Sequence, residues 1–555
     1  MKNQISSTTP AACDPVSTAC DPVSTACDPV STACDPVSTA CDPIRMGAVL
    51  ASLALFASLL CGCRTTWTPA VDEALAKAGK NRSALEAVLD HYSGDADRLK
   101  LEAALFLIGN MDGHGYTVTA LYDEEKDLIP FDALDYRNFG EAQAALDALE
   151  KEHGPLDFKL ERFDDDLETI TSEFLIENID YAFRAWRERP WARELSFEAF
   201  CEWVLPYRCS NEPLNSWRPA CMEEYDDLAD RMDDRGDIKE AGGKISGHVH
   251  SWMGFSTLYY LHPTDQGFDE MKRRRLGRCE DISNMISYAL RANAIPCAAD
   301  YTPYWANRDN NHAWEVLLDS DGRGRAGLSN RAAKIYRKCF SIQKENLGCI
   351  KTDDEEVPRW LSRTSYQDVT GQYLETTDVT VALEEAHPDG HRFAYICVFN
   401  GGEWKAIDWG WIRDGSVTFA GMGRGIAFLP AYFVDKEIVP AARPFILEAD
   451  GTVRLLGADR GRSSKEVAIE IAAVAPVTPD ADTRRDKPMV VVKPGKTYEL
   501  FVWNKGWQSL GKKEAGNDPV SFDAAPAGRL FWLVEEKSRR LERIFTIEEG
   551  NQIWW

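Results

Sequence analysis

Through the first half of the chain apolar residues return every three or four positions, the period of a helix with one buried face. Leu99, Leu101, Ala104, Leu105 and Leu107 place such a face on Asp95–Gly109, after a helix over Arg82–Tyr92 that Asn81 is placed to cap. Leu167, Ile170, Phe174, Leu175, Ile179, Ala182 and Trp186 predict another over Leu167–Trp186. Near the middle, Ile282, Met285, Ile286, Ala289 and Leu290 fall at i, i+3, i+4, i+7 and i+8, so a helix begins at or just after Cys279 and ends near Asn293. Ile295-Pro296 leads into a short strand, Cys297–Thr302, and a second strand opens at His312 after a loop over 303–311. Beyond about residue 350 the texture changes to strands. Asn400-Gly401 follows Ala394–Phe399 as a hairpin signal, Asp450-Gly451 punctuates another pair, and Tyr498–Trp503 and Arg529–Val534 are aromatic-rich strands.

The amino terminus departs from this texture. Residues 13–43 repeat Cys-Asp-Pro-Val-Ser-Thr-Ala with a period of seven. A Pro in every repeat excludes a coiled coil, and one Cys and one Asp per repeat build neither a disulfide scaffold nor a metal array. The repeat reads as a low-complexity leader, either disordered or translated from upstream of a start at Met46. From Met46 an apolar stretch too short to span a bilayer comfortably closes on Leu60-Cys61-Gly62-Cys63. That ending resembles the bacterial lipobox. The resemblance implies cleavage before Cys63, lipidation of Cys63 and export. With Arg64 rather than Asp next, it implies retention in the outer membrane of a Gram-negative envelope. An uncleaved anchor is the alternative.

Length and charge narrow the classes. At 555 residues the chain has room for three or four domains. Its 63 basic residues against 89 acidic ones give a net charge of −26, which repels phosphate backbones and argues against nucleic acid as a partner. Of 15 Cys, five lie in the repeat and two in the lipobox; the remaining eight are ordinary core usage and predict no disulfide framework. The acidic runs Asp164–Asp166 and Glu223–Asp234 lack EF-hand spacing and read as solvated helix faces. His248-Val249-His250 would share a strand face, but no third ligand is evident, so no metal is expected.

The chemistry concentrates between Gly277 and Asn330. A Cys at a helix start meets unpaired backbone N–H groups and the positive end of the helix dipole, which favour the nucleophilic thiolate. A helix-start Cys followed some 33 positions later by His-x-Trp at a strand start resembles the transglutaminase-like superfamily core. The matching residues are Gly277-Arg278-Cys279, Arg291 with Ile295-Pro296, and His312-Ala313-Trp314. The resemblance implies that Cys279 is the nucleophile and His312 its base. The superfamily's Asp on the next strand has no counterpart: Asp319 lies on the His312 strand itself, roughly 23 Å along at ~3.3 Å per residue. A three-residue turn at Ser320-Asp321-Gly322 pairs 319 with 323 and sets Asn330 opposite His312, where it would orient the imidazole. A two-residue turn would instead bring Ser329 diagonally across. Tyr304, Trp305 and Trp314, with Tyr301, are candidates to line a substrate groove. The chain from about 75 onward also resembles large transglutaminase-like lipoproteins of Gram-negative gut-type bacteria, through Leu99–Met111, Tyr304–Arg308, Tyr498–Gly511 and Glu542–Trp555.

These readings give a multidomain α+β protein with a low-complexity leader over 1–45 and a lipoprotein signal over 46–63. A helical region follows over 64–230, then a transglutaminase-like (papain-like) α+β core over 231–348. β-Sandwich-like modules cover 349–478 and 479–555. The expected function is a cell-envelope thiol enzyme acting on amide bonds of peptides, proteins or glycopeptides, with hydrolysis favoured over transfer and no cofactor required. The alternative is an inactive surface protein that binds glycan or peptide through Trp409, Trp411, Trp503 and Trp507 of its β modules.

Overall fold

The computed structural model describes residues 67–94, 98–328, 330–388, 390–457, 465–476, 489–536 and 542–555. The leader repeat and the lipobox with Cys63 lie outside the described residues. Among the described residues no helix is long and apolar enough to cross a membrane. The chain is a mixed helix-and-sheet protein, with a barrel-like sheet and several smaller sheets toward its carboxyl end.

The helices Pro69–Lys77, Arg82–His91, Arg98–Gly109 and Ser172–Glu188 pack through Leu75, Leu89, Leu107 and Ile179. Thr171 caps the last of them, its hydroxyl accepting from the Phe174 N–H at 3.2 Å. The purely helical reading of 64–230 fails between them. Gly115–Tyr122 pairs antiparallel with Asp157–Asp165, and the helix Phe139–His153 connects the two. Tyr116, Val118 and their neighbours are strand formers, and Gly115 is required by the pairing: a Cβ there would sit 2.4 Å from the Phe163 ring.

The acidic run at the end of this sheet is not a solvated helix face. Asp165 caps the next short helix, accepting from the Leu167 N–H at 2.8 Å. Asp166 is buried against Arg208, with N···O at 2.6 Å. His248 and His250 lie in the helix Ile238–Trp252, not on a strand, and two residues of helix turn them to different sides. His248 meets the Tyr225 hydroxyl at 2.9 Å, while His250 lies 3.8 Å from Glu315.

The helix Cys279–Ala292 runs through the centre of the molecule. Its apolar face is the one the periodicity predicts, but its polar face is buried as well. Three of those polar side chains are paired internally: Ser283 with Glu315 at 3.2 Å, Tyr288 with Glu212 at 2.7 Å and Arg291 with the Arg208 carbonyl at 2.8 Å, whereas the buried Asn284 amide has no partner among the described residues. Beside it lies a four-stranded antiparallel sheet in the order His312–Leu317, Cys297–Thr302, Tyr336–Lys338, Tyr366–Asp368. The His312 strand is therefore an edge.

Beyond it, seven strands between Thr376 and Leu455 hydrogen-bond in one continuous order, with Glu437–Pro440 paired to Ile426–Val434. Asn400 pairs with Glu403 across the two-residue loop Gly401-Gly402, whose φ values of 63° and 78° are those of a hairpin turn. Phe445–Leu447 pairs with Val453–Leu455 across Asp450-Gly451. A five-stranded sheet from Thr497 to Trp554 follows. The aromatic residues glue the two together: Trp404 meets Trp503 at 5.5 Å and Phe399 meets Trp532 at 5.3 Å. Trp503 is buried there, and Trp409 and Trp507 are half-buried in the same cluster. Trp411 is the most exposed of the four, beneath the Arg392 guanidinium.

Candidate functional site

Cys279 is the first residue of its helix. The start is fixed by Asp281, whose carboxylate accepts from the Arg278 N–H at 2.9 Å and from the Gln266 N–H at 3.3 Å. Burial pushes the Asp281 carboxyl up to about 6, against the pull of Arg278. The Arg278 side chain is spread over Asp265 and the Pro263 carbonyl, so the residue before the thiol is immobilised. Glu280, on its other side, meets Lys338 and the Ser210 hydroxyl; despite burial, Lys338 and Arg278 hold it ionised well below the usual carboxylate range.

Two opposing influences act on the sulfur. Burial raises the Cys279 pKa, and the Glu280 carboxylate raises it further. The backbone N–H groups of Ala313 and Glu280 and the Arg278 charge pull it down. The balance lies on the side of the protonated thiol. Ala313 lies at the start of the His312 strand, and the Cys279 helix packs on that strand through Ser283 and Glu315.

The imidazole takes a different direction. Along a strand successive side chains alternate faces. Glu315 meets Ser283 of the Cys279 helix at 3.2 Å, and Leu317 meets Gly242 of the helix Ile238–Trp252. His312 and Trp314 belong to the other set. The His312 ring lies 5.4 Å from the Trp314 ring and 6.0 Å from that of Trp305. Among the described residues it makes no hydrogen bond to the thiol. Burial, then Arg308, lowers its pKa, so it is neutral at pH 7.

The partner expected at Asn330 is not delivered by strand pairing. The turn itself forms: the Asp319 N–H donates to the Arg323 carbonyl at 2.8 Å. The chain then leaves the His312 strand, because Gly324 and Ala326 bond to Gln372 and Tyr373 instead. His312 faces Thr302 in the ladder, not residue 330. Asn330 precedes Arg331, which pairs with Ala306 and Asn307 at 2.9 Å each, beside the 304–308 loop. Ser329 lies outside the described residues. Trp305 and Trp314 are 3% and 9% exposed, stacked on each other inside a small core with Ile335 and Val369. They support the site from beneath and do not line an open groove. Tyr304 packs half-buried against the barrel-like sheet.

What sequence reasoning did not find is how the 303–311 loop is held. The Asn400 side-chain amide sits 2.9–3.0 Å from the carbonyls of Trp305, Arg308 and Asn310. Arg543, buried near the carboxyl end, donates to the Ala306 carbonyl at 2.7 Å and to Asp309 at 3.2 Å. The β modules thus clamp the segment that leads into His312. Neither residue carries a local signal, because each acts on a segment some 90 or 240 positions away.

Among the described residues no group of three His, Cys, Asp or Glu is arranged to hold a metal ion, and the eight described Cys are free thiols. A cleft of about 470 Å³ is lined in part by residues 261–265; it contains neither Cys279 nor His312 but shares Asp265 and Pro263 with the Arg278 anchor. Compared with known proteins, the chain matches no protein-family model and no curated sequence.

Proposed function

We propose that this is an exported, lipid-anchored cell-envelope protein whose transglutaminase-like core uses Cys279 as a nucleophile on amide bonds of peptides or glycopeptides. The observation that carries the reading is the position of Cys279 as first residue of the central helix, where that helix packs on the His312 strand through Ser283 and Glu315. In the reaction, the Cys279 sulfur bonds to the carbonyl carbon while its proton passes to His312. His312 then protonates the departing amine as the C–N bond breaks, leaving a thioester. Water attacks the thioester, giving up a proton through His312, and the thiol is regenerated with release of the acid. An amine in place of water would give transfer. Because the resting thiol is protonated and the imidazole is stacked on indoles, the ring must turn toward the sulfur when substrate binds.

That stacked imidazole is also the observation favouring a second reading, in which the core is an inactive scaffold and the β modules bind ligand. The experiment is the pH dependence of Cys279 alkylation, followed by mass spectrometry, in wild type and His312→Ala. Reactivity near pH 7 that His312→Ala removes supports the thiol enzyme. Identical profiles in the two proteins, rising only above pH 9, leave the scaffold reading.

A further inference from the structure

The surface around Cys279 has a composition of its own. Just before it, Gly254–Phe255 and Leu276–Gly277 form a two-stranded parallel ribbon in which Phe255 sits opposite Gly277. Phe255 is 48% exposed, Leu276 44% and Tyr260 40%, among the most exposed large apolar side chains of the molecule. The Phe255 and Tyr260 rings meet edge to face, 5.9 Å apart. The titratable groups within electrostatic reach of the Tyr260 phenol are Cys279, Arg308 and Arg278. The ring is therefore near both the thiol and the loop that precedes His312.

Arg308 is the second feature. It is exposed, on a loop whose backbone Asn400 and Arg543 hold in place. Arg278 is committed to Asp265, but among the described residues the Arg308 guanidinium has no acidic partner. Set beside exposed aromatic rings, it is complementary to a ligand that joins an apolar side chain to a carboxylate.

We propose that Phe255, Tyr260 and Arg308 form the substrate subsite beside Cys279, and that it takes peptides with an aromatic or large apolar side chain and a carboxylate close to the reacting amide. The aromatic pair receives the side chain, and Arg308 binds the carboxylate. The carboxylate is either the peptide's own terminus or an acidic side chain. This rests on the reading of Cys279 as the nucleophile.

The test uses the full chain and four reagents: iodoacetamide, iodoacetyl-phenylalanine amide, iodoacetyl-phenylalanine, and iodoacetyl-phenylalanyl-glutamic acid amide. Rates at Cys279 are read by mass spectrometry and divided by the rate of each reagent with free glutathione. The phenylalanine amide is expected to outpace iodoacetamide by about fivefold, from burial of the ring. One of the two carboxylate reagents is expected to gain about threefold more, as a partly exposed ion pair allows. Which of them gains tells a terminal carboxylate from a side-chain one. Arg308→Gln should bring the acid-to-amide ratio to one, and Arg308→Lys should keep most of it. Phe255→Ala with Tyr260→Ala should abolish the aromatic preference. Ratios near one in wild type, with Cys279 still labelled under the control of His312, overturn the subsite and leave the enzyme reading standing. A Cys279 that no reagent labels overturns both.

Discussion

His312 lies against Trp314 with ring centroids 5.4 Å apart, and Trp314 is in turn held by Tyr373, whose hydroxyl accepts from the indole Nε1 at 3.0 Å. Tyr373 donates to buried Asp300 at 2.6 Å, so the indole is tied to the interior of the sheet. The imidazole therefore has a rigid aromatic floor. Burial against it is the first cause of its lowered pKa.

Replacing Trp314 by Leu should raise the His312 pKa toward its ordinary value, as followed by NMR titration of the ring. Because the folded pKa is depressed, protonation opposes folding. Its contribution to stability is present above the unfolded pKa of about 6.5 and is lost as pH falls through the lowered folded value. Urea unfolding of Trp314→Leu should show a weaker acid-side loss, on top of a cavity cost of about 2–4 kcal/mol. An unmoved His312 titration would refute the stacking role.

Asp165 offers a test with the opposite dependence. Burial, with Asp166 and Asp112 nearby, pushes its carboxyl up to about 6, against the Leu167 N–H that it caps. A raised carboxyl favours the folded state while protonated, so this contribution is complete below about pH 4 and is lost as pH rises through 6. Asp165→Asn keeps the cap without the charge. It should stabilise the protein by about 1 kcal/mol at pH 8, a figure reduced for partial exposure, and by almost nothing at pH 4. Thermal unfolding at both pH values decides it; equal shifts at the two would contradict the electrostatic cause.

Gly277 leaves space for the start of the Cys279 helix. A Cβ at this position would stand 2.6 Å from the Asp281 Cβ and 3.1 Å from the Gln266 amide nitrogen. Gly277→Ala should displace the Asp281 cap and cost about 2 kcal/mol in denaturant unfolding. It should also change the alkylation rate of Cys279 while leaving that of exposed Cys349 as it was. A variant with wild-type stability and reactivity would show that the cap tolerates the methyl group.

Local pattern determined what depends on near neighbours. The period of Ile282–Leu290 begins the central helix at Cys279, and Ile295-Pro296 leads into the strand Cys297–Thr302. The hairpins at Gly401 and Gly451 form where two-residue and short loops demand positive φ. Each of these follows from the chemistry of a few adjacent residues. Tertiary structure decided the rest. The sheet of Gly115–Tyr122 and Asp157–Asp165 is closed by residues some 40 positions apart, which helical periodicity between them conceals. Asn330 does not pair opposite His312 in a ladder because Gly324 and Ala326 find partners in Gln372 and Tyr373, and a turn cannot hold a ladder that distant hydrogen bonds draw away. The aromatic residues around His312 became a floor because Val369 and Tyr373 cover them, and the 303–311 loop is fixed by Asn400 and Arg543. Burial and long-range hydrogen bonding belong to the assembled fold, so no local stretch of sequence contains them.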